Sequence, residues 1–202
     1  MSKEFPSIPW VRYADDGALN CSSIHQAKYI IKVLDKRFKM FGLELNLDKT
    51  KIVYCRDSNR NNNYEQIQFD FLGFTFKPRK AKGKNGEMFT SFLPGISNKA
   101  QKSIREEARN WRLQLKVDRS IKDIAEQYNP KIQGWINYYS HFYKEELCYV
   151  LAYINKCISK WAKHKYKKIK SRRRAGKLVT EIAKREPELF AHWKFGVIRT
   201  AM

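Results

Sequence analysis

A chain of 202 residues can bury one large core or two small ones, and 43% hydrophobic residues exclude a disordered tail. The net charge of +21 points to a polyanionic partner, nucleic acid first. No apolar run approaches the ~18 residues of a membrane-spanning helix. Met1-Ser2-Lys3-Glu4-Phe5-Pro6 lacks the apolar core of a signal peptide. The expected setting is therefore cytoplasmic, with no membrane partner. Cys21, Cys55, Cys148 and Cys157 form no C-x-x-C pair and read as free thiols. The charge is uneven: residues 1–96 carry 16 basic and 10 acidic residues, net +6, while residues 97–202 carry 25 and 10, net +15.

In chain order, Val11-Arg12-Tyr13-Ala14-Asp15-Asp16-Gly17-Ala18-Leu19 reads as a tight β-hairpin with two carboxylates at its bend. Ser23 caps a helix whose apolar positions include Ile24, Ile30, Ile31, Leu34 and Phe38, stopped by Gly42. Lys51–Cys55 reads as a strand and the Asn-rich stretch from Arg56 to Gln66 as a loop. Phe69–Phe76 alternates aromatics around Gly73, as a strand or hairpin that another backbone or a ligand approaches closely. Lys77–Lys84 reads as a basic turn and Glu87–Leu93 as a further strand.

From Ser97 the period becomes helical. Ile104, Ala108, Trp111 and Leu115 share one face, with Lys102, Arg105, Arg109, Arg112 and Lys116 mostly on another. Ser120 caps a second helix that Asn129-Pro130 ends, and Lys131–Tyr139 is a third. A long fourth spans about Glu145–Lys170, with Leu147, Leu151, Ile154, Ile158 and Trp161 inward. Gly176 precedes a short fifth helix. The fold class is α+β: hairpins and one helix in residues 1–96, then an all-α region in residues 97–202.

These landmarks, in this order, resemble the C-terminal part of a group II intron-encoded reverse transcriptase/maturase. Arg12-Tyr13-Ala14-Asp15-Asp16-Gly17 is similar to the palm signature of that family. Gly42-Leu43-Glu44-Leu45-Asn46 with Lys49-Thr50-Lys51-Ile52-Val53 resembles the next palm motif, and Phe69–Phe74 the primer grip. Gly134-Trp135-Ile136-Asn137-Tyr138-Tyr139, then Trp161–Lys167 and Phe190-Ala191-His192-Trp193, resemble the maturase-specific domain. The resemblance implies the end of a palm followed by a thumb and maturase helices. It implies magnesium-dependent, RNA-templated DNA synthesis and help for intron RNA folding and splicing, with intron RNA and a DNA primer as partners. It also implies fingers and an earlier palm strand bearing another metal-binding aspartate, whereas Glu4 is the one acid before Tyr13.

The implied catalytic residues are Asp15, Asp16 and Lys49, with Asp15 and Asp16 as magnesium ligands. Magnesium favours carboxylate, phosphate and water oxygens, and phosphoryl transfer through two ions needs more oxygens than one hairpin supplies. Lys49 reads as a charge or proton donor near the triphosphate, or as a solvated lysine after a turn. Phe71, Leu72 and Gly73 are the implied primer grip; ordinary packing of the two side chains is the alternative. The run Lys160, Lys163, Lys165, Lys167, Lys168, Lys170, Arg172, Arg173, Arg174 and Lys177 contains no acid, and phosphate would relieve its self-repulsion. With Arg105, Arg109 and Arg112 it forms the expected RNA-binding set. Tyr166 is a base-stacking or packing residue. Trp111, Trp135, Tyr138, Tyr139 and Trp161 are expected in the core.

The leading expectation is a fragment of an RNA-directed DNA polymerase/maturase that binds intron RNA and is inactive alone. A stand-alone RNA-binding splicing cofactor and a decayed remnant stay open beside it. So does a separately encoded N-terminal half that pairs with the exposed sheet edge.

Overall fold

The computed structural model describes residues 7–198; Glu4 lies outside them. The chain divides into two compact units, one from the N-terminal end to Phe71 with Lys77–Phe92, the other Leu72–Phe76 with everything from Leu93 onward.

The first unit begins with β1 (Trp10–Tyr13) and β2 (Asp16–Leu19), an antiparallel pair in the register Tyr13 to Asp16 and Trp10 to Leu19. Helix α1 (Ile24–Met40) follows, its first turn fastened by the Ser23 hydroxyl accepting from the Gln26 N–H. It ends in a Schellman closure: Gly42 N–H donates to Lys39 O and Leu43 N–H to Phe38 O, with Gly42 in the left-handed region at φ +68. Of the α1 residues only Ile30 is buried. The expected strand at Lys51–Cys55 is absent: Tyr54 N–H reaches Gln66 O, but the Asn-rich stretch between them supplies no ladder.

Three strands then form a sheet in the order β3 (Phe69–Phe71), β4 (Phe74–Lys82) and β5 (Met88–Ile96). The expected basic turn at Lys77–Lys84 is mostly strand, and the reversal comes at Gly83–Glu87, with Gly86 at φ +85. Lys80 and Lys82 are exposed while Arg79 is buried; long stems can lie along apolar surface with their heads in water, so a charged run does not by itself break a strand. Pro78 is tolerated because β3 is only three residues long, which leaves that side of β4 without a ladder to feed.

The second unit is helical. Helix α2 (Asn98–Asn110) is capped by Ser97 and buries Ile104 and Ala108. It stops earlier than its period suggests. Arg112 turns left-handed at φ +47, a 3-10 turn covers Leu113–Leu115, and Leu113 is buried while Leu115 is two-thirds exposed. Helix α3 (Ile121–Tyr139) starts in a capping box, Ser120 with Asp123, and runs straight through Pro130. The stop expected at Asn129-Pro130 is overridden. Tyr128, Ile132 and Ile136 continue one buried stripe across the proline, and Asn129 ties the same turn to the C-terminal segment. Its Nδ2 donates to Leu189 O at 2.9 Å, and Ala191 N–H donates to its Oδ1 at 3.0 Å. The carbonyl that Pro130 fails to serve belongs to Glu126, and both residues face water.

Helix α4 (Lys144–Lys165) buries Leu147, Leu151, Ile154, Ile158 and Trp161, as its period predicts, but ends at Lys165 rather than near Lys170. Helix α5 (Arg172–Arg185) begins before Gly176, capped by Ser171. The short α6 (Ala191–Lys194) closes the chain over a buried polar knot. Asn155 Oδ1 accepts from Trp193 Nε1 at 2.7 Å and from His192 Nε2 at 2.8 Å, and Asn155 Nδ2 donates to Val197 O at 2.9 Å. His192 thus holds its proton on Nε2, because the amide oxygen only accepts.

Candidate nucleic-acid interface

The acid pair sits where the hairpin sequence places it. With Tyr13 paired to Asp16, the turn is the two residues Ala14 and Asp15, and Asp16 opens β2. Ala14 is left-handed at φ +49, and Arg12 Nε donates to its carbonyl at 2.9 Å, fastening the bend. Both carboxylates are exposed. Among the described residues no group of three His, Cys, Asp or Glu side chains could hold a metal. Two adjacent carboxylates fit the way magnesium is usually held, by one or two carboxylates plus phosphate oxygens and water. Lys49 lies on a turn closed by Asn46, whose side-chain oxygen accepts from the Lys49 N–H at 3.1 Å, and its own side chain is exposed.

The basic run is divided by the fold into three settings. Lys160 and Lys163 are half-buried on α4. Lys165 is occupied: its ammonium donates to Val117 O at 2.9 Å and Arg119 O at 2.8 Å and lies over the Trp161 ring. Lys167, Lys168, Lys170, Arg172, Arg173, Arg174 and Lys177 are exposed. Among the described residues, the charged groups of these seven make no ion pair or hydrogen bond. They occupy the link between α4 and α5 and the first turns of α5. Three of them, Arg172–Arg174, stand at the positive end of the α5 dipole, where cations are disfavoured and anions favoured.

The other candidate cations are less free. Arg105 donates to Gln101 Oε1 at 3.3 Å on α2, and Arg109 is hydrogen-bonded with Tyr153. Arg112 is exposed on the left-handed link after α2 rather than on a helical face. Tyr166 packs edge-on against Trp161, centroids 6.0 Å apart. Trp111 stacks between Tyr128 and Trp135.

Leu72 and Gly73 form the two-residue turn between β3 and β4, with φ +49 and +78. Positive φ at both central residues defines a type I′ turn, for which Asn-Gly is the favoured pair and Leu-Gly is not. The turn is held from α3. Tyr138 donates its hydroxyl to Leu72 O at 2.8 Å, and the Tyr139 hydroxyl crowds Gly73. Phe74 packs on Tyr138, Tyr139 and Phe142. The glycine signalled a close approach; that phenols make it, with Tyr138 exposed rather than in the expected core, was invisible because 66 residues separate Leu72 from Tyr138.

The family model for reverse transcriptase (RNA-dependent DNA polymerase) matches residues 1–76, which include the acid pair and the Leu72–Gly73 turn. The model for the group II intron maturase-specific domain matches residues 101–179, which include Tyr138, Tyr139 and the whole basic run. The Phe190–Trp193 segment falls outside both. Comparisons with curated proteins and with solved structures gave no match. With a reverse transcriptase segment over residues 1–76 and a maturase-specific domain over residues 101–179, the chain belongs to the group II intron-encoded reverse transcriptase/maturases.

Proposed function

We propose that this chain grips group II intron RNA through its helical unit, in a cytoplasmic setting, and contributes Asp15 and Asp16 to a magnesium-dependent polymerase site that is not competent by itself. The observation that carries the RNA-binding reading is the set of seven exposed, unpaired cations between Lys167 and Lys177. An uncompensated cluster is costly in the free protein, and phosphates remove that cost while releasing counterions. Asp15 and Asp16 would hold the magnesium, which supplies charge neutralisation at the reacting phosphate; Lys49, exposed on its turn, is the accompanying cation. The Phe71–Gly73 turn would support a primer end. The separately encoded N-terminal half stays a proposed partner, supported by the exposed side chains on all four residues of β1.

The test is fluorescence anisotropy with a structured group II intron RNA across a salt series. Binding should weaken steeply with salt. Replacing Lys167, Lys168, Lys170, Arg172, Arg173 and Arg174 with glutamine should flatten the log–log slope by roughly 0.7–0.9 for each phosphate no longer neutralised. Asp15→Ala should leave affinity unchanged. A salt-independent affinity, or a slope untouched by the glutamine variant, would refute the reading.

A further inference from the structure

The Leu72–Gly73 turn and the Tyr138-Tyr139 pair belong to different sequence motifs, yet they meet inside one compact unit. A two-residue turn has one central peptide that can flip without moving its strands, converting one turn type into another. Here that peptide carries the Leu72 carbonyl, and it is the group that Tyr138 holds at 2.8 Å. The next carbonyl, of Gly73, accepts from Ser97 N–H at 2.9 Å. A Cβ on Gly73 would stand 2.9 Å from the Tyr139 hydroxyl oxygen, but 3.5 and 3.6 Å from the nearest ring carbons, which is ordinary contact. The hydroxyl is the obstacle in space, beside the strain that φ +78 imposes on any side chain at this position. Leu72 at φ +49 is a conformation that persists when surrounding contacts over-determine it. Burial raises the Tyr139 phenol above its usual range, so it stays neutral at physiological pH.

We propose that Tyr138 and Tyr139 are positioning residues for the nucleic-acid end supported by the Leu72–Gly73 turn, so that the maturase-type helix α3, and not the strands alone, sets the grip. Tyr138 fixes the central peptide, and Tyr139 reserves the space beside Gly73 that keeps the turn close to the helix. The proposal rests on the reading of this turn as a primer grip.

The experiment uses the full chain and two readouts. The first is the amide signals and hydrogen exchange of Leu72 and Gly73 by NMR. The second is affinity for an RNA template–DNA primer duplex with a recessed 3′ end, against a blunt RNA hairpin of equal length. Tyr138→Phe removes one oxygen atom. It should shift the two amide signals, speed their exchange and weaken recessed-end binding about fivefold, leaving hairpin binding unchanged. Gly73→Ala should weaken end binding further, and adding Tyr139→Phe should restore part of the loss. Unchanged turn signals in Tyr138→Phe, or no restoration in the double variant, with the wild-type preference for the recessed end intact, would overturn the positioning role alone. A wild-type chain that binds the two duplexes equally would overturn the grip reading and the proposal with it.

Discussion

His192 is the residue whose setting most constrains the molecule's response to pH. It is fully buried, its Nε2 proton is spent on Asn155, and its Nδ1 has no hydrogen-bond partner among the described residues. Burial pushes its pKa down from 6.5 to about 3. The unfolded chain therefore takes up a proton that the folded chain refuses. The corresponding stability is complete above pH 6.5 and is lost as pH falls from there toward 3, at about 1.4 kcal/mol per unit. Urea unfolding at pH 7, 6 and 5 should show this decline above the range where carboxylates titrate, and His192→Gln should remove most of it. A flat profile in the parent chain would mean that the ring is charged or solvated. Nothing in the Phe190–Trp193 sequence distinguishes a buried imidazole from an RNA-facing one, because Asn155 lies 37 residues away.

At the level of elements, most of the differences in the helical unit fall at helix ends. Local signals place helix starts well: Ser23, Ser97 and Ser120 each cap a helix with the side-chain oxygen accepting from the third residue on. Gly42 ends α1 as its sequence signals, but the later stops are set by contacts that local patterns do not carry. Pro130 should end α3, but a buried stripe runs across it and Asn129 ties that turn to Leu189 and Ala191. Replacing Asn129 with alanine removes two hydrogen bonds and should lower the unfolding free energy by about 2 kcal/mol, measured by urea denaturation at neutral pH. A loss below about 0.5 kcal/mol would mean that the tie to the C-terminal segment adds little to the buried stripe. Lys165 shows the converse. Lysine favours helix, but this one turns its ammonium to the carbonyls of Val117 and Arg119, and the helix ends there. Ser171 is the cap that the sequence hides; without it the basic run reads as one long helix followed by a glycine break.

Across the whole molecule the two units differ in how completely they are built. The helical unit buries a continuous core from Ile96 to Val197. In the first unit the buried apolar side chains among the described residues are Ile8 and Ile30, while Trp10, Val11, Tyr13, Tyr29, Met40 and Phe41 are exposed. The fold class and the acid hairpin were legible because each rests on a short pattern. We expect the isolated chain to show no primer extension on an RNA template with magnesium; extension above an Asp15→Ala control would overturn this. RNA binding should persist in the same preparation, since its cations belong to the better-built unit.

The bond between Tyr138 and Leu72 also sets an order of events during synthesis. The hairpin emerges 66 residues ahead of the phenol that holds its turn. Until α3 is made, the Leu72 carbonyl lacks the hydroxyl that donates to it, and the left-handed leucine is held by its strands and by the bond from Ser97 N–H to Gly73 O. A nascent chain that stops short of α3 carries the strands of the hairpin without its fixed turn. Translation of the maturase-type helix is then what completes the contacts of the reverse transcriptase-type turn, so a product truncated before α3 lacks the Tyr138 bond to Leu72.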